Sequence, residues 1–159
     1  MDTLSHALWG RGVFGYRGFP KTALLFGCFP DLISFGLLIL INFFSGTEFK
    51  PGPPEISSLP DWIFISYNFG HSLVISCAAC YIMSFYNKKI AYAMLAWPLH
   101  VLLDFPFHSI KYFPTPILWP ISDYKFDGIP WSNPYVWFSN IAGIIILYIW
   151  RIKKYKLIK

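Results

Sequence analysis

The chain has 159 residues, of which 55% are hydrophobic, 21% aromatic and only 13% charged. A soluble domain carries about 25% charged residues, so this composition excludes an ordinary water-soluble enzyme or binding module. The length allows one small domain, residues 1–159, and no internal repeat is visible. The formal net charge of +5 is unevenly distributed along the chain, which carries information about orientation.

The N-terminus lacks a basic start followed by an apolar core, so it does not read as a cleavable signal. Asp2 and His6 stand four residues apart, on one helix face if residues 2–15 are helical. Leu4, Ala7, Leu8 and Trp9 make that segment apolar enough to lie at the membrane interface or to re-enter a bundle. Four apolar stretches follow: 22–45, 62–86, 90–107 and 134–150. Each is at or near the roughly 20 residues of helix that span a bilayer. The predicted fold is therefore all-α: a polytopic transmembrane bundle of about four spans, with the N-terminal helix added. Cys77-Ala-Ala-Cys80 has the spacing of a metal or redox pair but no second pair accompanies it, so its cysteines read as small buried residues.

Ten of the thirteen basic residues cluster in three places. Arg11, Arg17 and Lys21 precede the first stretch, Lys88 and Lys89 separate the second and third, and Arg151, Lys153, Lys154, Lys156 and Lys159 follow the fourth. The remaining loops hold Lys50, Lys111 and Lys125 together with Glu48, Glu55, Asp61, Asp123 and Asp127. The positive-inside rule then puts both termini in the cytoplasm and loops 46–61 and 108–133 outside. The basic tail reads as an anchor to anionic lipid, not as a nucleic-acid patch. The outer loops are rich in proline and aromatics, and loop 108–133 is long for so small a chain, as functional loops often are.

Against this apolar background stand His71, His100, His108, Asp31 and Asp104. Each costs about 2.5–3.5 kcal/mol to place in a membrane unless paired or ligated. His100, Asp104 and His108 recur at i, i+4 and i+8, one helix face. Counted from the cytoplasmic end of each span at about 1.5 Å per residue, Asp31 lies about 14 Å in, His100 about 15 Å, Asp104 about 21 Å, His71 about 22 Å and His108 about 27 Å. Kinks at Pro30, Pro98 and Pro106 could close the remaining gap. His6 reaches this depth only if residues 2–15 fold back into the bundle. Imidazole and carboxylate are ligands for divalent metals such as zinc. The bland alternatives are an interhelical hydrogen bond for a single histidine and a helix cap for Asp31; the convergence of all six residues favours one shared metal site.

The same residues carry a family resemblance. The start Met-Asp-Thr-Leu-Ser-His-Ala-Leu-Trp-Gly, Phe-Pro-Asp at 29–31, Gly-His-Ser at 70–72, His100-Val-Leu-Leu-Asp104 and Leu-Trp-Pro-Ile-Ser at 118–122 occur in order. In this the chain resembles the YdjM-like inner-membrane metal-dependent hydrolases, over most of its length from Asp2 to about Trp131. That family is distantly similar to the zinc-dependent phospholipase C and nuclease group. The resemblance implies a bacterial inner-membrane location and metal ligands at His6, Asp31, His71, His100, Asp104 and His108. The chain departs from the family where many members carry His-Arg-Gly before the central His-Ser; here the stretch is Ser66-Tyr67-Asn68.

The expected activity is hydrolysis of a phosphoester in a lipid or lipid-linked substrate, with zinc or a similar ion bound by His and Asp and with Asp31 orienting or deprotonating the water. The alternative is a small metal or proton transporter, or a heme-binding membrane protein, since intramembrane His and Asp chains also serve ion pathways. The expected partners are the lipid bilayer and a lipid substrate, with no nucleic acid; the sequence leaves the oligomeric state open.

Overall fold

The computed structural model describes residues 1–47 and 52–156, the side chains of Tyr155 and Lys156 excepted. Glu48, Lys50, Pro51 and Lys159 lie outside the described residues. Every regular element among those described is helical: α1 (Thr3–Phe14), α2 (Pro20–Asp31), α3 (Leu37–Phe44), α4 (Asp61–Gly70), α5 (Leu73–Tyr86), α6 (Lys88–Met94), α7 (Ala96–Asp104) and α8 (Pro134–Lys156).

Three rods are long and apolar enough to cross a membrane: Pro20–Phe44, Lys88–Phe107 and Pro134–Lys154. The first joins α2 to α3 through a wide turn at Leu32–Gly36. That turn follows Pro30, which has no N–H for the helical ladder, and within it the Ser34 hydroxyl donates to Pro30 O, 2.8 Å away. The stretch predicted as the second span is not one straight helix. α4 and α5 meet at an angle of 57°, so the bundle has three straight candidate spans, or four if the bent pair counts as one. The break has a local cause. His71 leaves the helical region (φ −98°, ψ 21°), and the Ser72 hydroxyl accepts from Ile75 N at 3.1 Å as the N-cap of a new helix.

α1 is folded into the bundle against α2, α7 and α8. Asp2 caps it, accepting from Ser5 N at 2.8 Å and Ser5 Oγ at 2.6 Å, so its carboxylate turns to Ser5 and not towards His6. The close approach of α1 to α2 needs glycine on both sides. A Cβ on Gly27 would stand 2.5 Å from His6 O, and one on Gly10 would stand 2.6 Å from Ala23 O. At the other end of α1, Arg151 donates to Gly12 O at 2.8 Å and Val13 O at 3.0 Å, satisfying carbonyls left open by the helix end. Arg17 lies over the Tyr92 ring 4.1 Å from its centroid. The ends of α1 and α8 and the beginning of α6 thus meet at one basic end of the bundle.

Loop 108–133 closes the opposite end. The N–H groups of Gly128, Ile129 and Trp131 bond to the carbonyls of His108, Pro106 and Phe107 at 2.8, 3.0 and 2.9 Å. Leu73 N donates to Ile117 O at 2.9 Å, and the Ser72 hydroxyl bonds to Trp119 O, so the loop is fastened to the break between α4 and α5. Phe113 completes a buried cluster with Ile63 and Tyr67. Large apolar side chains such as Phe44 (78% exposed) and Ile146 (66% exposed) point outward from the rods. An apolar surface of that extent is suited to lipid.

Candidate metal centre

Four elements bring the titratable residues together. Asp31 ends α2, His71 sits at the α4–α5 break, and α7 carries His100 and Asp104. Two contacts set the spacing. Gly70 packs on Pro30, where a Cβ would come within 3.0 Å of Pro30 Cα, and Trp97 Nε1 of α7 donates to Gly70 O at 2.6 Å. The bend therefore places His71 between Asp31 and Asp104.

Asp31, His71, His100 and Asp104 each offer one ligand atom, and these four atoms lie within 4.8 Å of one another. The Nε2 atoms of His71 and His100 are 3.2 Å apart. Asp104 Oδ2 lies 3.2 Å from His100 Nε2 and 3.5 Å from His71 Nε2. Asp31 Oδ1 lies 3.6 Å from His71 Nε2 and 3.7 Å from His100 Nε2. His71, His100 and Asp104 are fully buried, whereas the Asp31 side chain is 16% exposed and forms the open edge of the group. This buried group can hold a metal ion.

The tautomers support that capacity. His71 Nδ1 faces Tyr67 O at 3.0 Å, His100 Nδ1 faces Gly27 O at 2.7 Å, and His108 Nδ1 faces Phe113 O at 2.9 Å. A carbonyl only accepts, so each Nδ1 carries a proton, and a ring with no second proton presents a lone pair at Nε2. Imidazoles held by a backbone carbonyl on one nitrogen, with the other left for an ion, are the usual arrangement around metals. Asp31 Oδ2, Asp104 Oδ2 and His108 Nε2 are buried atoms without a hydrogen-bond partner. Lone pairs 3.2 Å apart beside two carboxylates repel unless a cation lies among them, either protons on the rings or a metal ion.

His6 and His108 approach the group through Asp104. His6 Nε2 lies 2.8 Å from Asp104 Oδ1, and its ring stacks on His100 with centroids 3.6 Å apart. The Met1 amino group also contacts Asp104 Oδ1. His108 Nε2 lies 3.5 Å from Asp104 Oδ2. The predicted helical stripe is only partly helical: α7 ends at Asp104, a tight turn covers Phe105–Phe107, and His108 is extended (φ −114°, ψ 135°). Pro106 lacks the N–H needed to continue the helix, and the loop carbonyl of Phe113 fixes His108 instead. Asp31 makes no side-chain cap to the turn that follows it. Cys28, Cys77 and Cys80 are free thiols, and the metal-capable group contains no cysteine.

Tyr67 belongs to this centre, although composition and spacing did not single it out. Its ring stacks on His71 with centroids 3.8 Å apart, its carbonyl orients His71, and its hydroxyl donates to Phe113 O at 2.7 Å. The available signal is its position four residues before His71. Comparison with family models, curated proteins and solved structures finds no match to this chain.

Proposed function

We propose that the chain is an integral membrane metal-dependent hydrolase, acting on a phosphoester of a lipid or lipid-linked molecule. The observation that carries this reading is the set of Nε2 lone pairs and carboxylate oxygens converging from α2, the α4–α5 break and α7. Zinc suits the donor spacing. Ligands at about 2.0–2.2 Å in a tetrahedron stand roughly 3.3–3.6 Å from each other, against 3.2–3.7 Å for the five donor pairs that involve a histidine, within a group whose four atoms all lie within 4.8 Å of one another. His71 and His100 meet T-shaped with ring centroids 5.0 Å apart, and both aspartates lie beside their Nε2 atoms, which suits a compact ion better than a flat heme.

In this reading Asp31, His71, His100 and Asp104 hold the ion. Such an ion supplies Lewis acidity and a nucleophile active at neutral pH. The chain does the rest. His6 fixes Asp104 through Oδ1, leaving Oδ2 for the centre. Asp31, at the open edge with Oδ2 unpartnered, orients the attacking water and accepts its proton. A cavity of about 430 Å³, lined by Met1, Trp9, Leu103, Phe107, Tyr135 and Val136 with Ser139 and Asn140, reaches the centre through Met1, whose amino group contacts Asp104. Its largely apolar walls between α1, α7 and α8 support entry of a lipid chain from the bilayer. The basic end meets the cytoplasm, with the end of α1 and the end of α8 inside. Met1 is buried against Asp104 in the centre, which departs from the expected cytoplasmic N-terminus. The bacterial inner membrane is the location implied by the YdjM-like motifs.

The test is metal content by mass spectrometry on detergent-purified protein, paired with turnover of short-chain phospholipids. Wild type should carry a divalent metal and release phosphate-bearing product; His100→Ala and Asp104→Ala should lose both. Wild-type protein that carries metal across vesicle membranes yet cleaves no phosphoester would be a transporter.

A further inference from the structure

The outer end of the bundle is short of positive charge. Its two loops contain three lysines against five acidic residues, and Lys50 lies outside the described residues. Yet Lys111 and Lys125 line one cavity of about 130 Å³, with Phe64, Tyr67, Asn68 and Phe113 among its other walls. Neither lysine forms an ion pair or a hydrogen bond to any described residue. Asp123 and Asp127 each stand two residues from Lys125, and Asp127 accepts from Ile110 N at 2.8 Å. Two exposed lysines without ion pairs, lining one cavity with an aromatic wall and an amide, make a place for an anion with an apolar attachment.

We infer that Lys111 and Lys125 form a subsite for a phosphate-bearing anionic headgroup at the outer mouth of the metal centre. The cavity shares its walls with that centre. The Tyr67 ring lines it and also stacks on His71, and the Phe113 carbonyl accepts both the Tyr67 hydroxyl at 2.7 Å and His108 Nδ1 at 2.9 Å. A headgroup held by the two lysines would stand across the Tyr67 ring from His71, so the phosphate bound there is an anchoring group and not the ester cleaved at the metal. The aliphatic lysine stems can lie on the apolar wall while the ammonium groups turn inward to the anion. Asn68 adds donors for the ester or glycerol oxygens. The subsite's role as a substrate anchor rests on the hydrolase reading; its capacity to bind an anion does not.

The experiment measures binding of dihexanoyl phosphatidylglycerol to the full chain in detergent, with dihexanoylglycerol as the phosphate-free comparison and inorganic phosphate as competitor. Lys111→Gln/Lys125→Gln should weaken binding of the phospholipid by at least about tenfold, the size of one charge-assisted hydrogen bond, with no effect on dihexanoylglycerol. Lys111→Arg/Lys125→Arg should retain it, and Lys88→Gln/Lys89→Gln at the basic end should leave it unchanged. Competition by inorganic phosphate at equal affinity assigns the subsite to the free anion; its failure to compete assigns it to the lipid headgroup. Binding by the double glutamine variant within twofold of wild type, at equal metal content, would overturn the inference while leaving the hydrolase reading intact. Lysine-dependent binding by a protein that cleaves no ester would do the reverse.

Discussion

The carbonyl of Gly27 accepts the Nδ1 proton of His100 at 2.7 Å, while the space where Gly27 would carry a Cβ is occupied by the carbonyl of His6. One residue without a side chain therefore orients one histidine and lets the helix bearing another come within reach of Asp104. A methyl group at this position would stand 2.5 Å from His6 O and 3.1 Å from Ala7 Cα, both backbone atoms of α1. Gly27→Ala should force α1 away from α2, at a cost of about 1–3 kcal/mol for overpacking. Thermal unfolding in detergent should show the loss, and metal retention should fall with it. Gly36→Ala, whose nearest neighbour is the flexible end of Leu32 at 3.3 Å, is the tolerant comparison. Equal melting of the two variants would remove Gly27 from this role.

His6 and His100 stack on each other but stand differently towards the centre. His100 Nε2 faces His71 and both aspartates, whereas His6 Nε2 faces only Asp104 Oδ1. His100→Ala should abolish metal retention. His6→Ala should weaken it by about 10–100-fold, the usual effect of removing a group that positions a ligand. Competition with a chromogenic chelator measures both. Wild-type affinity in His6→Ala would show that Asp104 needs no support from α1.

Much of this centre could be read from residue types and depth. Asp31, His71, His100 and Asp104 are costly in an apolar chain, and helix rise alone puts them at comparable levels. The folding-back of α1 was legible only as one of two options, since the apolar surface that Leu4, Ala7 and Leu8 give residues 2–15 suits the membrane interface as well as the bundle. What could not be read are features settled by distant backbone. The carbonyl that fixes His100 comes from Gly27, 73 residues earlier, and the one that fixes His108 comes from a loop whose path the sequence does not state. The bend at His71 lay between these cases. Gly70 before it and Ser72 as an N-cap are local stop and start signals, but the continuous apolar pattern of 62–86 concealed them.

Acid should empty the site. Metal ligands must be deprotonated, so protons compete with the ion for the Nε2 lone pairs. Retention is expected to fall as the pH drops. Metal content after equilibration across pH 8 to 4 checks the sign. Retention that is greatest in acid would contradict a histidine-based centre.

The basic end of the bundle should face the cytoplasm. Arg17, Arg151 and the beginning of α6 meet there, and loop 108–133 closes the other end. A reporter fused after Lys159 should be active on the cytoplasmic side, and a cysteine introduced at Ser122 in the loop should react with an impermeant maleimide from outside. The opposite pattern would invert the protein and bring the lysine-lined cavity to the cytoplasm.

Tyr67 and His108 separate metal retention from turnover. Both donate to the Phe113 carbonyl, at 2.7 and 2.9 Å, and so both fasten loop 108–133 to the centre. Tyr67→Phe keeps the ring on His71 and leaves Phe113 O with one donor. It should cost about 0.5–1.5 kcal/mol of stability, the net worth of one hydrogen bond, and retain metal. His108→Ala is expected to act elsewhere. His108 Nε2 reaches the centre only at Asp104 Oδ2, 3.5 Å away, and its side chain is 15% exposed at the mouth. The four-residue group is complete without it. Metal content in His108→Ala should therefore stay near wild type, while turnover of a short-chain phospholipid falls by at least about tenfold, the lower range for a positioned proton-transfer group. Loss of the metal itself in this variant would make His108 a ligand in its own right and extend the centre into the loop.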